Sequence, residues 1–136
     1  MKKITLAGCL IFDSKGKLLL LHRNTPKRIQ WEIPGGKVEE NETPEEAAAR
    51  EILEELGVGV TIQKLVGTME FEEDGFYMDY SWFLTIVTNG VPKIIETDKF
   101  DKLDFHNWSD LAQIRNELSA NTKNLLQQHE QGLLEI

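Results

Sequence analysis

The sequence predicts an α/β fold of the α+β kind, with a mixed sheet at its centre. Three observations carry this. Two apolar runs, Ile4 to Phe12 and Lys17 to His22, flank the turn-forming tetrapeptide DSKG. A helix is punctuated at both ends between Thr43 and Gly57, and two strand-like segments meet at Asp74 and Gly75. With 136 residues, 40% of them hydrophobic and 28% charged, the chain is expected to form one domain, residues 1–136, able to bury a core of its own.

In chain order, the two N-terminal runs read as a β-hairpin, because short apolar strands joined by a polar, glycine-containing turn pair most simply with each other. After a polar loop containing Pro26, the segment WEIP reads as a brief strand delivering Gly35 and Gly36. Thr43 is a helix N-cap, Pro44 suits the first helical position, and Glu46 completes a capping box. Gly57 ends the helix. VTIQKLVGTMEFE and FYMDYSWFLTIVT read as strands, and Asn89-Gly90 is a hairpin signal. Ser109 is expected to cap a short helix, DLAQIRNEL, and TKNLLQQHEQGLLEI reads as an amphipathic helix interrupted by Gly132.

Charge and cysteine content narrow the function classes. Fifteen basic against twenty-three acidic residues give a net charge of −8, which disfavours nucleic-acid polymers and anionic membranes as partners. The start, MKKITLAGCLIFD, superficially resembles a lipoprotein signal. The apolar stretch between Lys3 and Cys9 is shorter than the roughly 7–15 residues such a signal needs, and it continues past the cysteine as a buried strand would. One lone cysteine and no membrane-spanning stretch fit a cytoplasmic protein, with Cys9 as a small core residue. His22, His106 and His129 show no metal-ligand spacing.

The segment GGKVEENETPEEAAAREILEELGV is unusually acidic. At 100° per residue, Glu51, Glu54 and Glu55 share an arc of about 100°, beside an apolar side of Ala48, Ala49, Ile52, Leu53 and Leu56. Like charges at this spacing destabilise a helix by a few tenths of a kcal/mol per pair, and more where water is excluded. A solvated acidic face with Arg50 pairing to Glu46 or Glu54 is one reading; a site for a hard divalent cation is the other. Oxygen-only donors and a neighbouring glycine carbonyl favour Mg²⁺, with Mn²⁺ as a substitute.

The spacing within Gly36 to Val58 resembles a complete Nudix box. Gly36 is followed after five residues by Glu42, after seven more by Arg50-Glu51-Ile52, then by Glu54-Glu55 and Gly57-Val58. The chain thus resembles the Nudix hydrolases, and among them the MutT-like nucleoside triphosphate pyrophosphohydrolases. The resemblance implies an α/β/α sandwich around a mixed sheet, and cleavage of a nucleoside diphosphate linked to another moiety. By position, Glu51, Glu54 and Glu55 would bind the metal with the carbonyl of Gly35, Arg50 would orient the glutamates, and Glu42 would brace the loop. Glu96 matches an additional MutT-like glutamate, or is an exposed strand-end residue. Glu54, Glu55 and Glu96 are each candidates to take the proton of the attacking water.

Arg23 matches a phosphate-side arginine and Lys37 adds positive charge, unless both are simply solvated. Asn121, in LSANTKNLL, corresponds to a purine-reading asparagine or caps a helix. Tyr80, Trp82, Phe83 and Phe76 form either a stacking surface or core. The acidic EFEEDG stretch lacks the proline usual in ADP-ribose specialists, and no aromatic-proline array of NADH-cleaving relatives is present. The implied substrate is a small nucleotide, a purine nucleoside triphosphate such as 8-oxo-dGTP cut to monophosphate and pyrophosphate. ADP-ribose or another nucleoside diphosphate derivative is the alternative, and a noncatalytic nucleotide-binding Nudix domain the alternative of another class. Many relatives of this kind pair as homodimers, so the resemblance leaves a homodimer open, while the sequence itself does not give the oligomeric state.

Overall fold

The computed structural model describes all residues, Met1–Ile136. The chain forms seven strands: β1 (Lys3–Leu10), β2 (Leu18–Asn24), β3 (Ile29–Glu32), β4 (Gly35–Lys37), β5 (Gly59–Glu73), β6 (Phe76–Asn89) and β7 (Phe100–His106). Three α-helices accompany them: α1 (Pro44–Leu56), α2 (Trp108–Gln113) and α3 (Ala120–Glu130). The strands divide into a four-stranded sheet, β4-β1-β6-β5, and a three-stranded sheet, β3-β2-β7. Only the first is mixed: β1 runs parallel to β6, while every other pair is antiparallel.

The expected opening hairpin is present only at its turn. Phe12 bridges Leu18 and Leu19 N–H donates to the Ile11 carbonyl, after which β1 and β2 part into different sheets. Both strands are apolar on two faces, and Leu18 through Leu21 are all buried. Such strands need partners and cover on each side, which separate sheets supply. Leu19 and Leu21 join a core with Ala47, Ala48, Ile52 and Leu56 of α1; Leu18 and Leu20 join one with Leu111 of α2 and Leu125 and Leu126 of α3. The sheets therefore lie between α1 on one side and α2 and α3 on the other.

Helix α1 begins and ends as its sequence dictates. Thr43 Oγ1 accepts from Glu46 N–H at 3.1 Å, and Glu46 Oε1 accepts from Thr43 N–H at 3.0 Å. Gly57 closes it in the left-handed conformation at φ 69°, where a side chain is disfavoured. Its apolar face differs from the expected one. Ala47, Ala48, Ile52 and Leu56 are buried, but Leu53 points to solvent, and Glu55 turns into the core side.

Four other expectations are corrected. Asn89-Gly90 does not form a hairpin: the following residues dock on α1, where Lys93 N–H and Ile95 N–H donate to the Leu56 and Glu55 carbonyls. Those helix-end carbonyls lack intrahelical partners, and the loop satisfies them. Asn107, not Ser109, caps α2, accepting from Asp110 N–H at 2.8 Å; Ser109 instead donates its hydroxyl to Asn107. DLAQIRNEL is split, α2 giving way to a 3₁₀ turn at Arg115–Glu117. The last helix starts earlier than expected, capped by Ser119 through Thr122 N–H, so Asn121 lies inside α3 and is not its cap. Strand β7 was not foreseen, its alternating polar residues giving no continuous apolar run.

Candidate active site

The site is assembled where β4 meets α1. Residues Leu6, Ala7 and Gly8 of β1 pair with Lys37, Gly36 and Gly35 of β4. A Cβ on Gly35 would collide with the Ala7 carbonyl oxygen, and one on Gly36 with the Glu51 carboxylate. Glycine is required at Gly35, where backbone stands in the way, while at Gly36 it leaves the Glu51 carboxylate room to lie directly against the strand.

Arg50 organises this face. Its Nε and Nη2 donate to the two oxygens of Glu42 at 2.7 and 2.9 Å, and Nη1 donates to Glu51 at 3.0 Å and to Glu54 at 3.3 Å. Nη2 also donates to the Lys37 carbonyl, tying helix to strand. Glu46 is not among its partners, being occupied by the capping box. Glu42 in turn accepts from Glu39 N–H at 2.9 Å, so it braces the loop before the helix. The Arg50 hydrogen bonds hold the Glu42 carboxyl down to about 2.

Glu55 has no such counter-charge. It is 3% exposed, and its Oε1 accepts from Gly35 N–H at 2.9 Å. Burial pushes its carboxyl well above the usual carboxylate range, with Glu51 adding repulsion. Half-buried Glu51 is also raised, first by burial, against the opposing pull of Arg50. Glu96 sits in the loop docked on the end of α1, paired with Lys99 at 3.1 Å, and its charge contributes to the upward push on both Glu51 and Glu55. Glu51, Glu54, Glu55 and Glu96 therefore occupy one neighbourhood.

No three acidic, histidine or cysteine side chains converge closely enough to hold an ion. Arg50 draws Glu51 and Glu54 toward itself, while Gly35 N–H holds Glu55. The donor set nonetheless fits a hard divalent cation: all its side-chain donors are carboxylate oxygens, and a buried carboxylate without a cationic partner is costly until a cation arrives.

Beside these acids lies a cleft of about 370 Å³. Arg23, Gly35, Gly36, Lys37 and Asn121 all line it, so the structure brings together every expected substrate-side residue. Arg23 is clamped by Glu32 at 2.8 Å and lies 4.8 Å over the Phe100 ring. Asn121 accepts from the Trp82 indole N–H at 2.9 Å. The aromatic stacking surface is absent as such: Trp82, Phe83 and Tyr80 are buried, and Phe76 is partly exposed at the start of β6.

Several lining residues were not singled out from sequence. Glu32 and Gln30 alternate along β3 and so share a face, and register pairs Gln30 with Arg23. That alternation was the available signal. Lys27, Arg28 and Glu73 also line the cleft, and Arg28 pairs with Glu73 at 3.0 Å and with Asp74, joining the loop after β2 to the β5–β6 turn. Nothing local in the sequence connects them.

Similarity to known proteins identifies the family. The NUDIX domain model matches residues 2–129. An 8-oxo-dGTP diphosphatase of Proteus vulgaris is 36% identical over 85 residues, covering 61% of this chain and 76% of that one. Diphosphoinositol polyphosphate phosphohydrolase 3-alpha of Mus musculus is 37% identical over 83 residues, covering 59% of this chain and about half, 49%, of the mouse protein. A crystal structure of a MutT NUDIX hydrolase from Burkholderia pseudomallei matches with TM-score 0.82 and 29% identity, covering 94% of this chain and 98% of that one. Nudix hydrolases generally use divalent metals such as Mg²⁺. No helix is long and apolar enough to cross a membrane. With the box filled at every position and the match extending over nearly the whole chain, this protein belongs to the Nudix family, as a MutT-like hydrolase acting on phosphoanhydride bonds.

Proposed function

We propose that the chain hydrolyses a purine nucleoside triphosphate, 8-oxo-dGTP being the leading candidate, to the monophosphate and pyrophosphate. The observation that carries this reading is that one cleft is lined by Arg23, Lys37, Asn121 and the glycine pair of β4, and that the same glycines touch the acidic face of α1, Gly35 N–H donating to Glu55 and the Glu51 carboxylate lying against Gly36. The similarity to the Proteus 8-oxo-dGTP diphosphatase supports it.

In this reading Glu51, Glu54, Glu55 and Glu96, with the Gly35 carbonyl, hold Mg²⁺, and Arg50 orients Glu51 and Glu54. When bound, the metal supplies an activated water and offsets charge on the phosphoryl oxygens. Glu54, Glu55 or Glu96 takes the water's proton, since all three lie in the same acidic neighbourhood. Arg23 and Lys37 meet the phosphates as fixed positive charge, and Asn121 meets the base. Hydrolysis by a water needs no covalent enzyme intermediate.

A panel of nucleoside triphosphates, nucleoside diphosphate sugars including ADP-ribose, and dinucleotides, incubated with Mg²⁺ and analysed for products, tests this. Release of pyrophosphate and a monophosphate from a purine triphosphate is the expected outcome. Preferential cleavage of ADP-ribose or another diphosphate derivative would replace the substrate while keeping the site. Full activity in Glu54→Gln and Glu55→Gln together would remove the site assignment.

A further inference from the structure

Asn89 ends β6 and Gly90 follows it, the one place in the chain where an asparagine precedes glycine. Both residues are exposed. The hairpin that this dipeptide ordinarily builds is absent, and the Gly90 N–H has no backbone acceptor, so its nitrogen is free to turn toward the Asn89 carboxamide. Asn89 pairs with Gly59 as the last rung of the β5–β6 ladder, set apart from the rest by a register shift between Gly59 and Val60. A terminal pair beyond a bulge opens at low cost.

This juxtaposition permits a reaction of the chain with itself. The Gly90 nitrogen gives up its proton and attacks Cγ of Asn89; an N–Cγ bond forms, the Cγ–Nδ2 bond breaks, and ammonia leaves with the proton. Glycine suits the step because no Cβ shields the nitrogen. Water then opens the cyclic imide. Attack at Cγ gives aspartate, whereas attack at the main-chain carbonyl gives isoaspartate, whose backbone runs through Cγ and is one methylene longer.

The segment after Gly90 makes that methylene consequential. A Cβ on Gly90 would stand 3.3 Å from Val58 Cγ1 and 3.6 Å from the Gly57 carbonyl oxygen, so the chain here lies on the end of α1. Just beyond, Lys93 and Ile95 N–H donate to the Leu56 and Glu55 carbonyls, and Glu96 comes next. Lengthening the backbone before this segment moves Gly90 off Val58 and breaks the register of both hydrogen bonds.

We propose that Asn89-Gly90 is a self-modifying site whose conversion to isoaspartate undocks the following loop from α1 and takes Glu96 away from Glu51 and Glu55. The effect on activity rests on the reading of Glu55 and Glu96 as metal ligands; the chemistry and the undocking do not. The simpler role of Asn89, a strand end held by Gly59, predicts that only unfolded chain reacts.

The test incubates native wild type, Asn89→Gln, and wild type in urea in mildly alkaline buffer over days to weeks. Glutamine closes the larger ring far more slowly, so Asn89→Gln is the unreactive control. Peptide mass spectrometry and enzymatic methylation of isoaspartate locate the product, and ion exchange separates it. Native wild type is expected to accumulate isoaspartate at Asn89 ahead of every other asparagine. The isoaspartyl fraction should lose hydrogen-exchange protection at the Lys93 and Ile95 amides and need more Mg²⁺, with kcat/KM lower by about 10- to 100-fold, the usual effect of disturbing groups around a metal site. Asn89→Gln should keep its protection and activity throughout. Native protein that stays unmodified while unfolded protein reacts would overturn the proposal, as would an isoaspartyl fraction with wild-type protection at both amides. An undocked fraction with the wild-type Mg²⁺ requirement would instead remove Glu96 from the metal site. If wild type cleaves no phosphoanhydride, the proposed function fails, and the mapping and hydrogen exchange still decide this inference.

Discussion

Arg50 grips Glu42 through two parallel hydrogen bonds, Nε to Oε2 at 2.7 Å and Nη2 to Oε1 at 2.9 Å, while its third nitrogen reaches Glu51 and Glu54. One guanidinium thus joins the loop before α1 to the acidic face of the helix. The fork geometry is what permits this, because a lysine ammonium is a single point and cannot serve both ends. Arg50→Lys is expected to lower kcat/KM by about 10- to 100-fold, the usual effect of losing a residue that orients metal-binding carboxylates. Steady-state kinetics across a Mg²⁺ titration checks it, with a raised Mg²⁺ requirement as the accompanying sign.

The same pair gives stability a defined acid dependence. Glu42 is held down to about 2 when folded, below its ordinary 4.5. Between those values the unfolded chain binds the extra proton, so the pair's contribution is fully present above about 4.5 and is lost as pH falls through about 2. Urea denaturation of wild type and Glu42→Gln should therefore differ most at neutral pH and converge toward pH 2. A gap that stays constant across this range would mean that Glu42 ionisation contributes nothing.

Glu55 behaves oppositely. Burial raises its folded carboxyl well above 4.5, so its charge opposes folding once it ionises, and stability falls as pH rises from 4.5 through the folded value. In EDTA at neutral pH, Glu55→Gln should be more stable than wild type by about 1–3 kcal/mol, the scale of relieving a poorly compensated buried polar group. Adding Mg²⁺ should stabilise wild type more than the variant, and the variant should be inactive. Thermal melts with and without metal, alongside the activity assay, read all three effects.

Cys9 is fully buried beside Ala48, and burial pushes its thiol up to about 12. Thiolate is the reactive form. Iodoacetamide at pH 8 should leave the native protein unmodified over an hour and label it stoichiometrically in urea, as mass spectrometry would report. Fast native labelling would show that β1 opens readily.

What the sequence determined by itself was local and periodic. The Thr43-Pro44-Glu46 start and Gly57 stop of α1 are decided within a few residues by capping chemistry. The arc of Glu51, Glu54 and Glu55 follows from the helical repeat. The box spacing identified the family because it records that one helix must meet one glycine-lined strand.

Tertiary structure decided whatever depends on partners distant in the chain. Whether β1 pairs with β2 or with β6 turns on where two doubly apolar strands find cover, which no local signal states. Asn89-Gly90 has hairpin chemistry, yet the unpaired carbonyls at the end of α1 capture the following loop and bring Glu96 to the acids. Asn121 sits in the cleft only because Ser119 starts α3 two residues earlier, and its side-chain oxygen accepts from the indole N–H of Trp82, thirty-nine residues away. A hydrogen bond across that separation leaves no period or spacing to read; only packing of β6 against α3 creates it.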